Sequence, residues 1–316
     1  MTATPIIRAL CVCGPTSSGK SDAALAAAAT VGGEIVNADS RQVYAGMPIG
    51  TGWPSIEAME RVPHHLYGII APSERYSAVR FVDDARAAIA DIAARGRLPI
   101  LVGGTGFYIE ALAGTMPIDR PAGDDEVRRR VLREALTHPH DTLREWLRAL
   151  DPAAAARVPA GDRYRALRAI ESALVRRDER NTADDITGDQ RRANPAVQLT
   201  TVVLRVERPD LRRRIAERVN TMFASGLEEE ALTVQARWPD APGLTSIGYA
   251  EAIAVKDGTA TRAEAIARCT LRTSQYAARQ DTWFRRFRNA RIVEAGERAA
   301  ALRAVTDTAR EIVGGT

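Results

Sequence analysis

The chain has 316 residues, 45% of them hydrophobic and 27% charged, so it is long enough for one large core plus a second unit and too apolar to stay disordered. Its formal charge of +4 permits a phosphate-rich partner without requiring one. Cys11, Cys13 and Cys269 exclude a disulfide framework and lack zinc or redox spacing, and neither a bilayer-spanning apolar run nor a secretion signal is visible, so a reduced cytoplasm is the expected home.

Ile6 to Cys13 reads as a buried strand, and the alanine-rich run Asp22 to Ala29 reads as a helix. Between them stands Gly14-Pro15-Thr16-Ser17-Ser18-Gly19-Lys20-Ser21, the glycine-x4-glycine-lysine-serine pattern of a P-loop. Backbone N–H groups and a helix N-terminus there face an anion, Lys20 adds a point charge, and the Ser21 hydroxyl is placed to ligate Mg²⁺. A di- or triphosphate is the expected ligand. Of the 44 basic residues only Lys20 and Lys256 are lysine, so a compact ammonium is kept beside the phosphate site while arginine serves elsewhere.

A second short strand, Glu34 to Asn37, delivers Asp39, Ser40, Arg41 and Gln42 to its carboxyl end, where open α/β sheets bind ligands. That puts Asp39 beside the phosphate site, either as a functional group there or as a buried cap of the next helix. Gly46 to Pro54 reads as a functional loop. Pro63 to Ile70 reads as a third strand, whose adjacent His64 and His65 point to opposite faces and so are structural. A helix runs from an N-cap at Ser77 to a stop at Gly96. The continuous apolar run Leu98 to Val102 is a buried parallel strand. It carries no Walker-B carboxylate and passes into Gly103-Gly104-Thr105-Gly106, where Thr105 either contacts a bound phosphate or caps the helix Phe107 to Leu112.

From Gly114 to Asn194 strand patterns vanish. Helical segments appear at Val127 to Leu136, Thr142 to Leu150 and Arg163 to Val175, with arginines and acids nearly balanced, so most of these arginines are expected on a solvated face. Leu199 to Glu207 returns as a strand. Helices then cover Pro209 to Phe223 and Glu228 to Arg237, and Arg262 to Phe287 is the longest helical pattern. Its arginines are interleaved with Tyr276, Trp283, Phe284 and Phe287, a mixture that suits a nucleic acid and equally suits core packing. Arg291 to Ala295 is the last expected strand. The predicted fold is α/β: a P-loop core with a mostly parallel sheet flanked by helices, from residues 1–115 and 196–316, plus a helical insertion domain over 116–195.

Taken together these motifs resemble the tRNA dimethylallyltransferase family, the isopentenyl transferases that modify the adenine beside the anticodon. The P-loop, Asn37-Ala38-Asp39-Ser40-Arg41-Gln42-Val43-Tyr44, Pro63-His64-His65-Leu66, Arg95 to Gly106, Gly161 to Arg165 with Arg168 to Glu171, and Arg279 to Arg285 match in order over about nine-tenths of the chain. The resemblance implies that Gly14, Pro15, Thr16, Ser17, Ser18, Gly19, Lys20 and Ser21 hold the diphosphate of dimethylallyl diphosphate rather than ATP, with Mg²⁺ on Ser21. It gives Asp39 the place of the general base, Thr105 a place near both substrates, and Arg279 a place near the diphosphate. It places Asp39, Ser40, Arg41, Gln42, Thr105, Arg128, Tyr164, Arg165 and Arg168 in contact with tRNA. It implies an insertion that grips the anticodon stem-loop, and a cytoplasmic monomer with no membrane partner. The family usually has arginine and lysine where Ser274 and Ala278 stand, and lysine at Trp53. Adenylate isopentenyltransferase, P-loop kinase and non-catalytic RNA-binding relative are the competing readings.

Overall fold

A computed structural model of the protein describes residues 6–116, 125–182 and 196–315. They fall into two compact units, Met1–Met116 with Ala193–Thr316, and Pro117–Arg192.

The first unit is built on a six-stranded sheet of β1 (Ile6–Cys13), β2 (Glu34–Asn37), β3 (His64–His65), β4 (Pro99–Gly103), β5 (Ala196–Arg205) and β6 (Arg291–Glu294), in the order β3-β2-β4-β1-β5-β6. Every pairing is parallel. β1 is central, and its residues Ala9 to Cys13 are fully buried, as a strand covered on both faces requires. The helix Lys20–Val31, nearly all alanine on its buried side, lets the backbone come close to β1 and β4, and the helix Arg298–Gly314 packs into the same layer through Val305 and Ala309. On the other side a second core joins Val43, Tyr44 and Met47 to the helices Arg208–Ala224, Leu227–Arg237, Tyr249–Lys256 and Arg262–Phe284. All three cysteines are buried and unpaired. Among the described residues no helix is long and apolar enough to cross a membrane.

The expected elements are present with three differences. The third strand is confined to His64 and His65 themselves, because Leu66 and Gly68 take left-handed backbone, φ 65° and 60°, and end the pairing. The histidines are structural: His64 Nδ1 lies 2.7 Å from Val62 O, and His65 Nε2 lies 2.7 Å from Glu34 Oε2. The supposed loop Gly46 to Pro54 contains a one-turn helix, Pro48–Thr51, whose Ile49 and Gly50 amides donate to the Glu230 carboxylate, each at 2.8 Å. That cap comes from 180 residues away and leaves no local trace. The longest helix ends at Phe284 rather than Phe287.

The second unit holds the helices Asp125–Thr137, His140–Leu150, Pro152–Arg157 and Arg163–Thr182 around its own core of Val131, Leu143, Leu147 and Ile170. Asp151 caps the third of these, its Oδ1 accepting the Ala154 amide at 2.8 Å.

Candidate active site

Loops from the carboxyl ends of β1, β2 and β4 build the site. The first is the glycine-rich turn after β1. A Cβ on Gly14 would lie 2.6 Å from the Leu204 carbonyl oxygen on β5, so only glycine fits there. Ser17 and Gly19 take left-handed backbone, φ 62° and 88°, which curls the loop around its own amides and opens the helix at Lys20. Ser17 Oγ and Ser18 Oγ are buried in that curl and meet no protein hydrogen-bond partner. Orphaned hydroxyls of this kind mark a cradle for a polar ligand. Lys20 Nζ donates to Pro15 O at 3.3 Å. Burial lowers its pKa to about 8, against the opposing pull of Asp39, so a nearby anion would restore a full charge to it.

Ser17 to Asp22 line a cavity of about 700 Å³ whose remaining wall includes Leu25, Ile35, Trp53, Tyr67 and Val102. Trp53 and Tyr67 meet edge to face, with centroids 6.2 Å apart. A phosphate cradle thus faces aromatic and aliphatic surface. Ser21 lines this cavity, and among the described residues no group of three His, Cys, Asp or Glu side chains could hold a metal ion. A divalent ion here would take phosphate oxygens beside the Ser21 hydroxyl, an all-oxygen donor set that suits Mg²⁺.

Asp39 sits on the second loop. Its amide donates to Asn37 Oδ1 at 2.9 Å, and its own Oδ1 accepts the Arg41 amide at 2.9 Å. No helix begins there, so the capping alternative is not realised. Thr105, on the third loop, makes no side-chain cap to the helix Gly106–Leu112. Its Oγ1 instead accepts the Ser40 amide at 3.0 Å, while its own amide donates to Ala38 O at 3.3 Å. The β4 loop therefore holds the Asp39 loop from beneath. Gln42 turns away from both, its Nε2 donating to Gly52 O at 2.7 Å and to Thr51 O at 3.2 Å.

A second cavity, of about 370 Å³, is lined by Thr16, Asp39, Arg41, Tyr276 and Arg279, together with Arg218 and Arg272. Asp39 is the one carboxylate among its four arginines. The Arg279 guanidinium lies 5.8 Å from the Tyr276 ring centre. Burial, and then Asp39, push the Tyr276 hydroxyl pKa up, so this phenol stays a neutral donor.

Arg218 lines both cavities, and sequence reading missed it. Its Nη2 donates to Thr51 O at 3.4 Å. Burial lowers its pKa while Asp39 opposes that shift, yet a guanidinium remains charged. The available signal was its place beside the buried stripe Leu211, Ile215 and Val219 of the helix Arg208–Ala224, whereas Arg212 and Arg213 are exposed.

Ser274 and Ala278 face neither cavity. They lie on the other side of the helix Arg262–Phe284, in a groove with Val206, Leu211 and Leu271. Ser274 Oγ donates back to Thr270 O at 2.8 Å.

In the second unit, Glu171 is buried and pairs with both Arg128, at 3.7 Å, and Arg168. Arg165 pairs with Asp162 at 3.2 Å, and Tyr164 is 70% exposed. Three basic groups and one aromatic ring are thus carried on this unit.

The profile of a family described as IPP transferase matches residues 42–287. A tRNA dimethylallyltransferase of Geobacter sulfurreducens is 42% identical over 275 residues, covering 86% of this chain and 87% of that one. One from Anaeromyxobacter dehalogenans is 43% identical over 283 residues, covering 89% and 93%. Among solved structures, the full-length tRNA isopentenylpyrophosphate transferase of Bacillus halodurans superposes with a TM-score of 0.68 at 32% identity, covering 99% of this chain and 96% of that one. A eukaryotic dimethylallyltransferase solved while acting on tRNA gives a TM-score of 0.78 at 24% identity, over 97% and 80%, a likeness of fold.

Proposed function

This chain belongs to the IPP transferase family, and from that premise we propose how its site prenylates an adenine of tRNA. It is an enzyme of tRNA modification, a prenyl transferase. The finer reading is that the donor is dimethylallyl diphosphate and the acceptor is the exocyclic amine of the adenine beside the anticodon.

The observation that carries this reading is Arg218, which lines the phosphate cradle on one side and the Asp39 cavity on the other. The diphosphate lies in the cradle of residues 14–21, its charge met by backbone amides, Lys20 and Arg218. The five-carbon chain lies against the apolar wall near Trp53 and Tyr67. The adenine enters the smaller cavity, beside Tyr276 and Arg279. A nitrogen–carbon bond forms between the amine and the first prenyl carbon as the carbon–oxygen bond to diphosphate breaks, and diphosphate departs with the electron pair. Asp39 accepts the proton that the amine loses. Ser21 would hold Mg²⁺ together with the phosphate oxygens, and the ion, when bound, would supply neutralising charge to the leaving group. Thr105 keeps the Asp39 loop in place through Ser40. Arg128, Tyr164, Arg165 and Arg168 grip the anticodon stem-loop, which must splay its base out to be reached. The enzyme acts as a monomer.

The test is incubation with labelled dimethylallyl diphosphate, Mg²⁺ and either an unmodified anticodon stem-loop or AMP, followed by nucleoside analysis. The stem-loop should be by far the better acceptor. Equal use of AMP would move the chain to the adenylate-prenylating branch, and phosphoryl transfer from ATP would make it a kinase.

A further inference from the structure

We propose that Gln280 is a positioning residue that locks the phosphate cradle to the loop beside the acceptor. The proposal rests on the assigned reaction and adds a group to it. Gln280 is 5% exposed, on the helix Arg262–Phe284. Its Oε1 accepts the Thr16 amide at 2.8 Å, and its Nε2 donates to Gly104 O at 2.8 Å. One carboxamide therefore spans the β1 loop and the β4 loop, which share no strand neighbour relation with the helix that carries it. The fit is close: a Cβ on Gly104 would fall 2.2 Å from Gln280 Nε2 and 3.6 Å from Asp39 Oδ2.

The chemistry of the side chain matters. Thr16 presents a donor and Gly104 an acceptor, so the bridging group must offer one acceptor and one donor at fixed spacing, which an amide does in either charge environment. Thr16 also lines the acceptor cavity with Asp39, Arg41 and Arg279, so Gln280 acts on chemistry through these loops rather than by touching the reacting atoms. Its neighbour Arg279 lines that same cavity.

Gln280→Glu separates positioning from packing. An ionised carboxylate still accepts from Thr16 but repels the Gly104 carbonyl, whereas a protonated carboxyl offers the same donor and acceptor pair as the amide. Asp39 faces this corner from the β2 loop and disfavours ionisation of the new group, while Arg41, Arg218, Arg272 and Arg279 in the adjoining cavity favour it. Turnover of Gln280→Glu divided by that of the wild type, measured at each pH so that shared titrations cancel, should be about 10- to 100-fold below one at pH 8, as loss of a buried hydrogen bond with a repulsive contact implies. The ratio should climb as pH falls toward 6. Gln280→Met, which fills the space without bonding, should stay low and flat. A ratio for Gln280→Glu that does not change with pH, or a Gln280→Met variant as active as the wild type, would overturn the proposal. Calorimetric binding of inorganic diphosphate to the same proteins reads the cradle without the reaction, and it should weaken and recover with the same pH dependence. A wild type that binds diphosphate but prenylates no stem-loop would sink the assigned reaction and leave this bridge standing.

Discussion

Asn37 holds Asp39 through the backbone on both sides: its Oδ1 accepts the Asp39 amide at 2.9 Å, and its Nδ2 donates to the Asp39 carbonyl at 3.1 Å and to Leu66 O at 3.0 Å. The Asp39 backbone is therefore held by a fully buried side-chain amide, and the carboxylate itself is oriented by the Arg41 amide that its Oδ1 accepts at 2.9 Å. Asp39→Asn keeps the shape but cannot take a proton, and turnover should fall by ~10²- to 10⁴-fold with tRNA affinity kept. Asn37→Ala should lower turnover less and also lower the melting temperature. Full activity in Asp39→Asn would remove it as the base.

Lys20 opposes stability and serves binding. Its pKa of about 8 in the fold lies below the ordinary 10.5, because burial penalises its charge. Between those values the unfolded chain binds more protons than the folded one, so stability should rise with pH from about 8 to 10.5 and be lowest, through this group, below 8. The cost there is of order 3 kcal/mol. Lys20→Met should raise the melting temperature at pH 7 while lowering turnover by ~10²- to 10³-fold. A destabilised Lys20→Met variant would contradict the pKa assignment.

Metal binding should require the donor's phosphates. With Ser21 the hydroxyl at the cradle and no three-residue acidic or histidine cluster among the described residues, Mn²⁺ titrated into the protein alone should show weak or no binding by calorimetry. Adding inorganic diphosphate should bring a saturable signal, lost in Lys20→Met. Tight metal binding without diphosphate would point to a different site.

Arg165 and Arg128 should separate on replacement by alanine. Arg165 is largely exposed and pairs with the partly exposed Asp162, so Arg165→Ala should weaken stem-loop binding and reduce its logarithmic salt slope by about 1, with little effect on folding. Arg128 is mostly covered and pairs with the buried Glu171, so Arg128→Ala should cost stability as well as affinity. Diphosphate binding should survive in both. Filter binding across a salt series, beside thermal melts, checks this.

The cradle was legible in sequence because every requirement of a P-loop is local: an apolar strand, a glycine-bearing turn, then a helix former. Ser77 was found as a cap for the same reason, and its Oγ does accept the Arg80 amide at 3.1 Å. What escaped depends on partners far along the chain. Glu230 builds a helix at Pro48, Arg218 lines two cavities from a helix that carries several arginines, and Gln280 ties two loops far from it in sequence. Ser274 and Ala278 lie on a face turned from both cavities, which sequence spacing alone could not orient.

The parallel register Ile6↔Ala196 to Cys13↔Val203 gives the protein a timetable. β1 can pair with β4 once residue 103 has been made, but its other edge must wait for residue 196. At the usual pace of synthesis that interval lasts roughly 5–20 s, during which an apolar strand edge stays open to other chains. The intervening unit has its own core, whose described residues all precede residue 190. Chains truncated near residue 190 and released from the ribosome should therefore show a protease-resistant insertion ahead of a resistant core. Equal resistance of both in such chains would mean that the sheet does not need β5 to settle.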